Sequence, residues 1–405
     1  MKHRVKNRRR ESLAPRAVCG AVALALLAVQ AAPPAYAGYA EQARRIYTRL
    51  AGVPPSSQVL SQMTQLITSG QGSQQSLIAA AAVATDPQNA PDFYDVTLKE
   101  FVNPWTNRNQ SAFVPFNDYT ATVIGMVRDD VPFNTVLSAN ILYTVNAPGL
   151  PAPSPANNDH YATAEADGVD FASALQQNTQ TAVYGTPAQA VAGVWTTRAG
   201  AAAFFVLGTN RAQFRFTMLN YLCHDMQTVM DNTRPTDRIR QDVARSPGGD
   251  SRVFLNNCAG CHSGMDPMAQ AFAYYDFSTT SNQLVYTQGQ VQPKYLKNPQ
   301  NFPWGFVTPD DTWSNRWRSG PNAGLGWDTS LPGSGEGAAS LGQELENTEA
   351  FANCQVVKVF QQVCLRAPVS QTDQTTVATI EKDFKDSGYH LKQVFQESAA
   401  ACAGS

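Results

Sequence analysis

"NNCAGCHSGMDP", Asn256 to Pro267, sets two cysteines three residues apart and follows them at once with a histidine. The flanking "DSRVFLNNCAGCH" carries Val253, Phe254 and Cys258 at helical spacing behind Asp250 or Ser251, either of which can cap a helix. The stretch therefore predicts a helix that presents two thiols and an imidazole. Three chemistries use such a pattern, and each needs different company elsewhere in the chain.

A zinc site needs a second pair of ligands at similar spacing. The other cysteines are isolated, and no His-x₃₋₅-His occurs. A redox dithiol needs a thioredoxin-like strand-helix-strand setting, and these flanks read as helix. Cys258-Ala259-Gly260-Cys261-His262 fits the third pattern, C-x-x-C-H. Two thiols one helical turn apart can add to the two vinyl groups of one haem, and the next histidine can ligate the iron. The expectation is one covalent haem c, with Cys258 and Cys261 as thioether anchors and His262 as proximal ligand and metal-binding residue. No residue is assigned a catalytic role.

The ends of the chain suit that chemistry. Residues 1–37 read as a signal peptide: a basic start, the apolar run "AVCGAVALALLAV", and "AYA" at Ala35 to Ala37 before Gly38. The apolar run is too short for the ~20 residues that span a bilayer. Removing its seven basic residues and one acidic residue from totals of 30 and 32 leaves 23 and 31, a net charge of −8. The basic N-terminus is thus an address rather than a nucleic-acid patch. No later apolar run approaches spanning length. The expected location is periplasmic or secreted, in a Gram-negative bacterium. Cys223, Cys354, Cys364 and Cys402 remain, enough for two disulfides with three possible pairings.

The expected fold is mainly α. After the signal peptide come an N-terminal helical domain (38–157), a haem-binding domain (158–295), a Gly/Pro/Trp-rich loop region (296–345) and a C-terminal helical segment packed on the haem domain (346–405). "EQARRIYTRLAG", "SSQVLSQMTQLITSG", "FNDYTATVIGMVRDD" and "VPFNTVLSANILYTV" read as helices, with a linker at 146–158. "LCHDMQTVM" (222–230) reads as an amphipathic helix. Asp266 and Pro267 read as N-cap and first residue of a helix over "PMAQAFAYYDF". Met268, Phe272 and Tyr275 would share its apolar face. Trp304, Trp313, Trp317 and Trp327 are expected to anchor the loop region. Arg316 and Arg318 are read as surface arginines, with haem propionates as the alternative.

A low-spin carrier needs a second axial ligand. No methionine follows Met268, and Met265 lies within ~10 Å of chain from His262, too near to round the porphyrin edge. The candidates are His160, Met218, His224, Met226, Met230 and His390, or none.

Several blocks resemble the planctomycete-type cytochrome C family, large secreted proteins with a single haem. They are "RRIYTRLAGVPPS" (44–56), "RDDVPFNTVLSANILYTVN" (128–146), "NNDHYA" (157–162), "TRAGAAAFF" (197–205), "RFTMLNYLC" (215–223), "CAGCHSGMDPMAQAFAYYDF" (258–277), "FANCQVVKVFQQV" (351–363) and "DSGYHLKQVFQES" (386–398). They are spread piecewise along nearly the whole chain after residue 38, and the C-x-x-C-H block is the closest. The resemblance implies haem attachment at Cys258, Cys261 and His262 and offers His160 for the haem pocket. Ala269 and Tyr274 depart from the family's Gly and Glu, and the loop after Phe277 is longer.

The leading expectation is electron transfer with an unidentified redox partner protein. The alternatives are a haem enzyme of peroxidase or oxygenase type with an open or weakly held sixth position, and a haem-bearing subunit of a secreted redox complex. Hydrolase and nucleotide-binding fingerprints are absent, as is any nucleic-acid groove.

Overall fold

A computed structural model describes residues 38–295 and 303–404. The signal-peptide reading of residues 1–37 lies outside the described residues. The architecture is mainly helical, with three small antiparallel two-stranded sheets. Among the described residues no helix is long and apolar enough to cross a membrane.

The N-terminal helices follow their apolar stripes. In α1 (Tyr39–Ala51), Ala43, Ile46, Tyr47 and Leu50 all turn inward. In α2 (Ser57–Ser69), Ser56 caps the Val59 N–H and Gly70 closes the helix. Ser73 caps α3 (Gln74–Val83) in the same way. Next, α4 (Asp118–Arg128) is buried along almost its whole length.

Residues 131–145, read as a helix, are not one. They form a short 3₁₀ turn, Phe133–Thr135, and strand β1 (Leu142–Val145), which pairs antiparallel with β2 (Leu175–Asn178). Aromatic and β-branched residues at 143–145 suit a strand buried on both faces, where helical and strand periods cannot be told apart.

Beyond α5 (Asp159–Ala166) and α6 (Arg198–Phe204), α7 (Arg211–Tyr221) stops short of "LCHDMQTVM". That stretch is a series of turns, not the expected helix. Cys223 adopts a left-handed φ of 57°, which ends the helix, and its disulfide to Cys354 holds the bend.

The helix of the quoted stretch, α8 (Ala259–Ala269), runs through Asp266 and Pro267. Asp266 is therefore not an N-cap. It is buried in mid-helix, and the expected following helix is replaced by a 3₁₀ turn, Gln270–Phe272, and strand β3 (Tyr275–Ser278), paired with β4 (Gln283–Tyr286). Met268, Phe272 and Tyr275 are all buried in the main core, but on a helix, a 3₁₀ turn and a strand rather than on one helical face.

The Trp-rich region packs tightly on α8. Sheet β5–β6 (Thr312–Ser314 with Ser334–Glu336) flanks the buried Trp313 and Trp317, and the Trp327 indole N–H donates to the carbonyls of Trp317 and Asn322. Trp304 is 86% exposed and anchors nothing. Gly264 is the seat of Trp317: a Cβ there would lie 1.9 Å from the indole nitrogen. The C-terminal helices are α9 (Gly337–Glu346), α10 (Glu349–Cys364), α11 (Gln371–Asp386) and α12 (Leu391–Ala401). Helix α12 packs against α1 and α3 as well as against α10, and α10 also meets α7. A second disulfide, Cys364–Cys402, ties the ends of α10 and α12. Two disulfides are compatible with an extracellular or periplasmic setting.

Glu346 joins the end of α9 to the segment before β1. Its carboxyl is fully enclosed and accepts from the Leu137 N–H at 2.8 Å and from the Ser138 hydroxyl. Burial pushes its pKa up to about 8, against the pull of those two donors. An acid whose pKa rises on folding stabilises the fold most below its unfolded value of ~4.3, and that contribution drains away as pH climbs towards 8. Glu346→Gln should flatten this slope and raise the unfolding free energy at pH 8 relative to the parent. Denaturant titrations at pH 5 and pH 8 that keep the same slope in both proteins would refute this. Gly264→Ala should cost about 3 kcal/mol and lower the melting temperature by ~5 °C or more, while Gly324→Ala, which faces open space, should change little.

Candidate functional site

The site is built on the start of α8. Immediately before it, Phe254–Cys258 forms a π-helical turn, a wide turn that often marks functional positions. Cys258 leans on a small apolar cluster of Ile239, Val243, Phe254 and Ala259. Cys261 leans on the main core, and its thiol donates to the Met226 carbonyl at 3.3 Å. These two are the free cysteines of the described residues, and both are half-buried. The other four are committed to disulfides.

Small residues between the thiols let a neighbouring loop close on the helix. A Cβ on Gly260 would sit 2.7 Å from Asn232 Oδ1, and the Asp231 N–H donates to the Gly260 carbonyl at 3.0 Å. Ser263 donates to the Asp231 carbonyl from the next turn. One side of α8 is thus sealed by the 226–232 loop and Trp317. Leu255, one turn before Cys258, is 52% exposed, and Val253 and Met230 are also exposed.

His262 has 21% of its side chain exposed, and its Nδ1 lies 3.1 Å from Asp266 Oδ1, four residues on. Asp266 is the centre of a buried charge network. Arg211 donates to it twice, from Nε at 2.7 Å and Nη2 at 2.9 Å. The same guanidinium donates to both oxygens of Asp242 and to the Thr209 hydroxyl. The Arg240 N–H donates to Asp266 Oδ2 at 3.1 Å, and the Arg240 guanidinium lies 3.6 Å from Oδ1. Burial alone would raise the Asp266 pKa. The charges of Arg240 and Arg211 and the hydrogen bond from His262 outweigh it and hold the carboxyl well below the usual range. With Nδ1 turned to Asp266, the Nε2 of His262 is the nitrogen left for another partner.

The other candidates are placed elsewhere. Both ring nitrogens of His160 are used: Nε2 accepts from the Val145 N–H at 3.0 Å and Nδ1 bonds the Pro151 carbonyl at 2.7 Å. His160 is therefore a structural histidine that holds β1 to the linker, not a ligand. Met218 is fully enclosed in the main core, and Met226 is buried. Among the six, Met226 has a direct link to the site through its carbonyl, and Met230 precedes the residue that bonds Gly260. His224 faces Thr228 within its own turn. His390 lines a cavity with Gln75, Asp130 and Gln396. Arg316 pairs with Asp237, and Arg318 pairs bidentately with the buried Glu344. Both arginines are committed to protein carboxylates rather than free on the surface.

The metal-binding expectation is corrected in one respect. Among the described residues no group of three or more His, Cys, Asp or Glu could hold a metal ion, so the chain builds no ion centre from its own side chains there. His262 has one carboxylate neighbour and two thiols near it in sequence, directed to different packing clusters. This also removes zinc. The dithiol reading lacks the strand-helix-strand setting it needs, because a π-helical turn runs directly into α8; burial, with the charges of Asp225 and Cys258, pushes the Cys261 thiol up.

The Arg211–Asp242–Asp266–Arg240 network escaped the sequence. The one local signal was the i, i+4 spacing of His262 and Asp266, which places both on one helical face. No family model, curated protein or solved structure matches the chain.

Asp266→Ala should destabilise the protein by ~3–5 kcal/mol, because it leaves the buried Arg240 without its carboxylate and takes one of two from Arg211. Asp266→Asn should cost less, since it keeps an acceptor for Arg211. Equilibrium unfolding of both variants checks the order, and a loss below ~1 kcal/mol for the alanine variant would contradict the network's role.

Proposed function

We propose that this chain is an exported, periplasmic or secreted electron-transfer protein carrying one covalent haem c. Cys258 and Cys261 would hold it through thioethers, and His262 would ligate it through Nε2. The observation that carries this reading is the division of the cysteines. Four are paired, while the two three apart at the start of α8 are free, half-buried and followed by a histidine whose Nδ1 is engaged. The exposed Leu255 on the same turn supplies apolar surface for a planar apolar group. Such a group brings its own metal and four of its ligands, so it asks the chain for one axial nitrogen rather than a cluster. When bound it supplies one-electron chemistry. The chain's own residues anchor it, fix the imidazole's orientation through Asp266, and keep the sealed side of α8 dry. The resemblance of residues 258–277 to the planctomycete-type cytochrome C family supports the same reading, and the electron partner would be a second redox protein.

A second reading, a haem enzyme with an open sixth position, is favoured by the carboxylate on His262 Nδ1, since such a bond raises the basicity of a ligating imidazole.

A pyridine haemochrome spectrum of the protein, expressed with an export signal and haem-attachment machinery, should show one haem c per chain. Attachment should be lost in a Cys258→Ala/Cys261→Ala variant. A haem-free product, or attachment that survives the double substitution, would overturn the proposal. Carbon monoxide that binds the ferrous protein readily would favour the enzyme reading over the carrier.

A further inference from the structure

Lys358, on α10, lines a cavity of about 340 Å³ together with Phe101, Trp105, Leu219 and Asn220. Its Nζ donates to the Asn220 carbonyl at 2.7 Å and lies 4.0 Å from the centre of the Trp105 ring. Both neighbours line the same cavity, so the amine sits in its wall.

Its charge has no counterpart. Six lysines fall among the described residues, and five of them pair with carboxylates. Those pairs are Lys99–Glu165, Lys294–Asp276, Lys382–Asp386, Lys385–Glu349 and Lys392–Asp130. Lys358 is the sixth, and its amine meets a carbonyl and a ring instead. The acid on the cavity wall among the described residues, Glu100, is exposed and forms no ion pair with it.

This setting weakens the ammonium form. A carbonyl and an indole face both favour a cation, but neither carries the full negative charge that would offset lost hydration. Burial therefore pushes the amine's pKa down to about 7. An ordinary lysine, with a pKa of ~10.4, is ~0.04% neutral at pH 7. Near pH 7 about half of Lys358 is neutral, and a neutral amine is a nucleophile. Phe101, Trp105 and Leu219 give the cavity apolar walls beside that amine.

We propose that Lys358 is a covalent capture site for small aliphatic aldehydes. The Nζ lone pair attacks the carbonyl carbon, and the carbonyl oxygen takes up a proton to give a carbinolamine. Loss of water then leaves a C=N bond to Nζ. The condensation needs no oxidant or reductant and reverses by hydrolysis. The alkyl chain lies against Phe101, Trp105 and Leu219. The site is independent of any group attached at Cys258 and Cys261.

The test incubates the full protein with butanal at several pH values, fixes imines by borohydride reduction and locates them by peptide mass mapping. At pH 7, Lys358 should be modified at least tenfold more than the exposed Lys382. Its labelling should rise from pH 6 and level off by about pH 8, while that of Lys382 goes on rising to pH 9. Gln362→Glu puts a carboxylate one turn along α10 on the same cavity wall. It should cut Lys358 labelling at pH 7 at least fivefold, leaving Lys382 labelling and the far-ultraviolet circular dichroism unchanged. The proposal is overturned if Lys358 is labelled no more than Lys382 at pH 7. It is equally overturned if its labelling follows the pH course of Lys382, or if Gln362→Glu is labelled at Lys358 as the parent is.

Discussion

Burial of the Asp266 carboxylate in the middle of α8 is the constraint on which the site depends. A lone carboxylate taken out of water would cost several kcal/mol. Here Arg211, Arg240 and His262 surround it, and Arg211 is itself balanced by Asp242. The network joins α7, the 237–245 loop and α8. None of these parts can shift without exposing a buried charge to an apolar neighbour. Such networks hold a geometry more firmly than they raise total stability, because their gain is set against the desolvation of every member. The rigid part of the site is therefore the part behind His262.

The front of the site follows from that fixed back. With α8 held by Asp266, Trp317 can sit directly on Gly264 and the 226–232 loop on Gly260, because neither glycine offers a Cβ. A Cβ at Gly264 would collide with the Trp317 indole, and one at Gly260 would crowd the Asn232 side chain. The same packing turns Cys258 and Cys261 to separate apolar clusters and leaves the Leu255 side of the turn uncovered. The start of α8 thus combines a sealed helix face with two free, half-buried thiols and an exposed apolar residue.

Local pattern revealed much of the fold and long-range pairing little of it. Ala43, Ile46, Tyr47 and Leu50 declare α1 because a 3.6 period and a single buried face leave no other solution. Asp250 caps the turn before the site as its side chain predicts. The failures share a cause. Residues 142–145 are buried on both faces, so their pattern carries no period. Residues 222–230 have a helical pattern, but a left-handed Cys223 and a disulfide to a residue 131 positions away override it. Asp266-Pro267 has the form of a helix start, yet Arg211, far off in sequence, makes a buried mid-helix aspartate the better arrangement. His160 shows the same limit, because only the fold reveals that both its nitrogens are spent on β1 and the linker. Cys258, Cys261 and His262 were legible because their chemistry is written in adjacent positions.

The charge balance around Asp266 bears on how His262 is held. A carboxylate standing alone on Nδ1 would draw the imidazole proton strongly and make Nε2 a markedly better donor. Here the two carboxylates, Asp266 and Asp242, are matched by two guanidinium groups, Arg211 and Arg240, so the cluster is formally neutral. What the network supplies is orientation: Nδ1 is tied to Asp266, which leaves Nε2 for another partner. Because Asp266 is itself held by Arg211 and Arg240, the ring cannot turn without giving up its contact to a fixed, buried group.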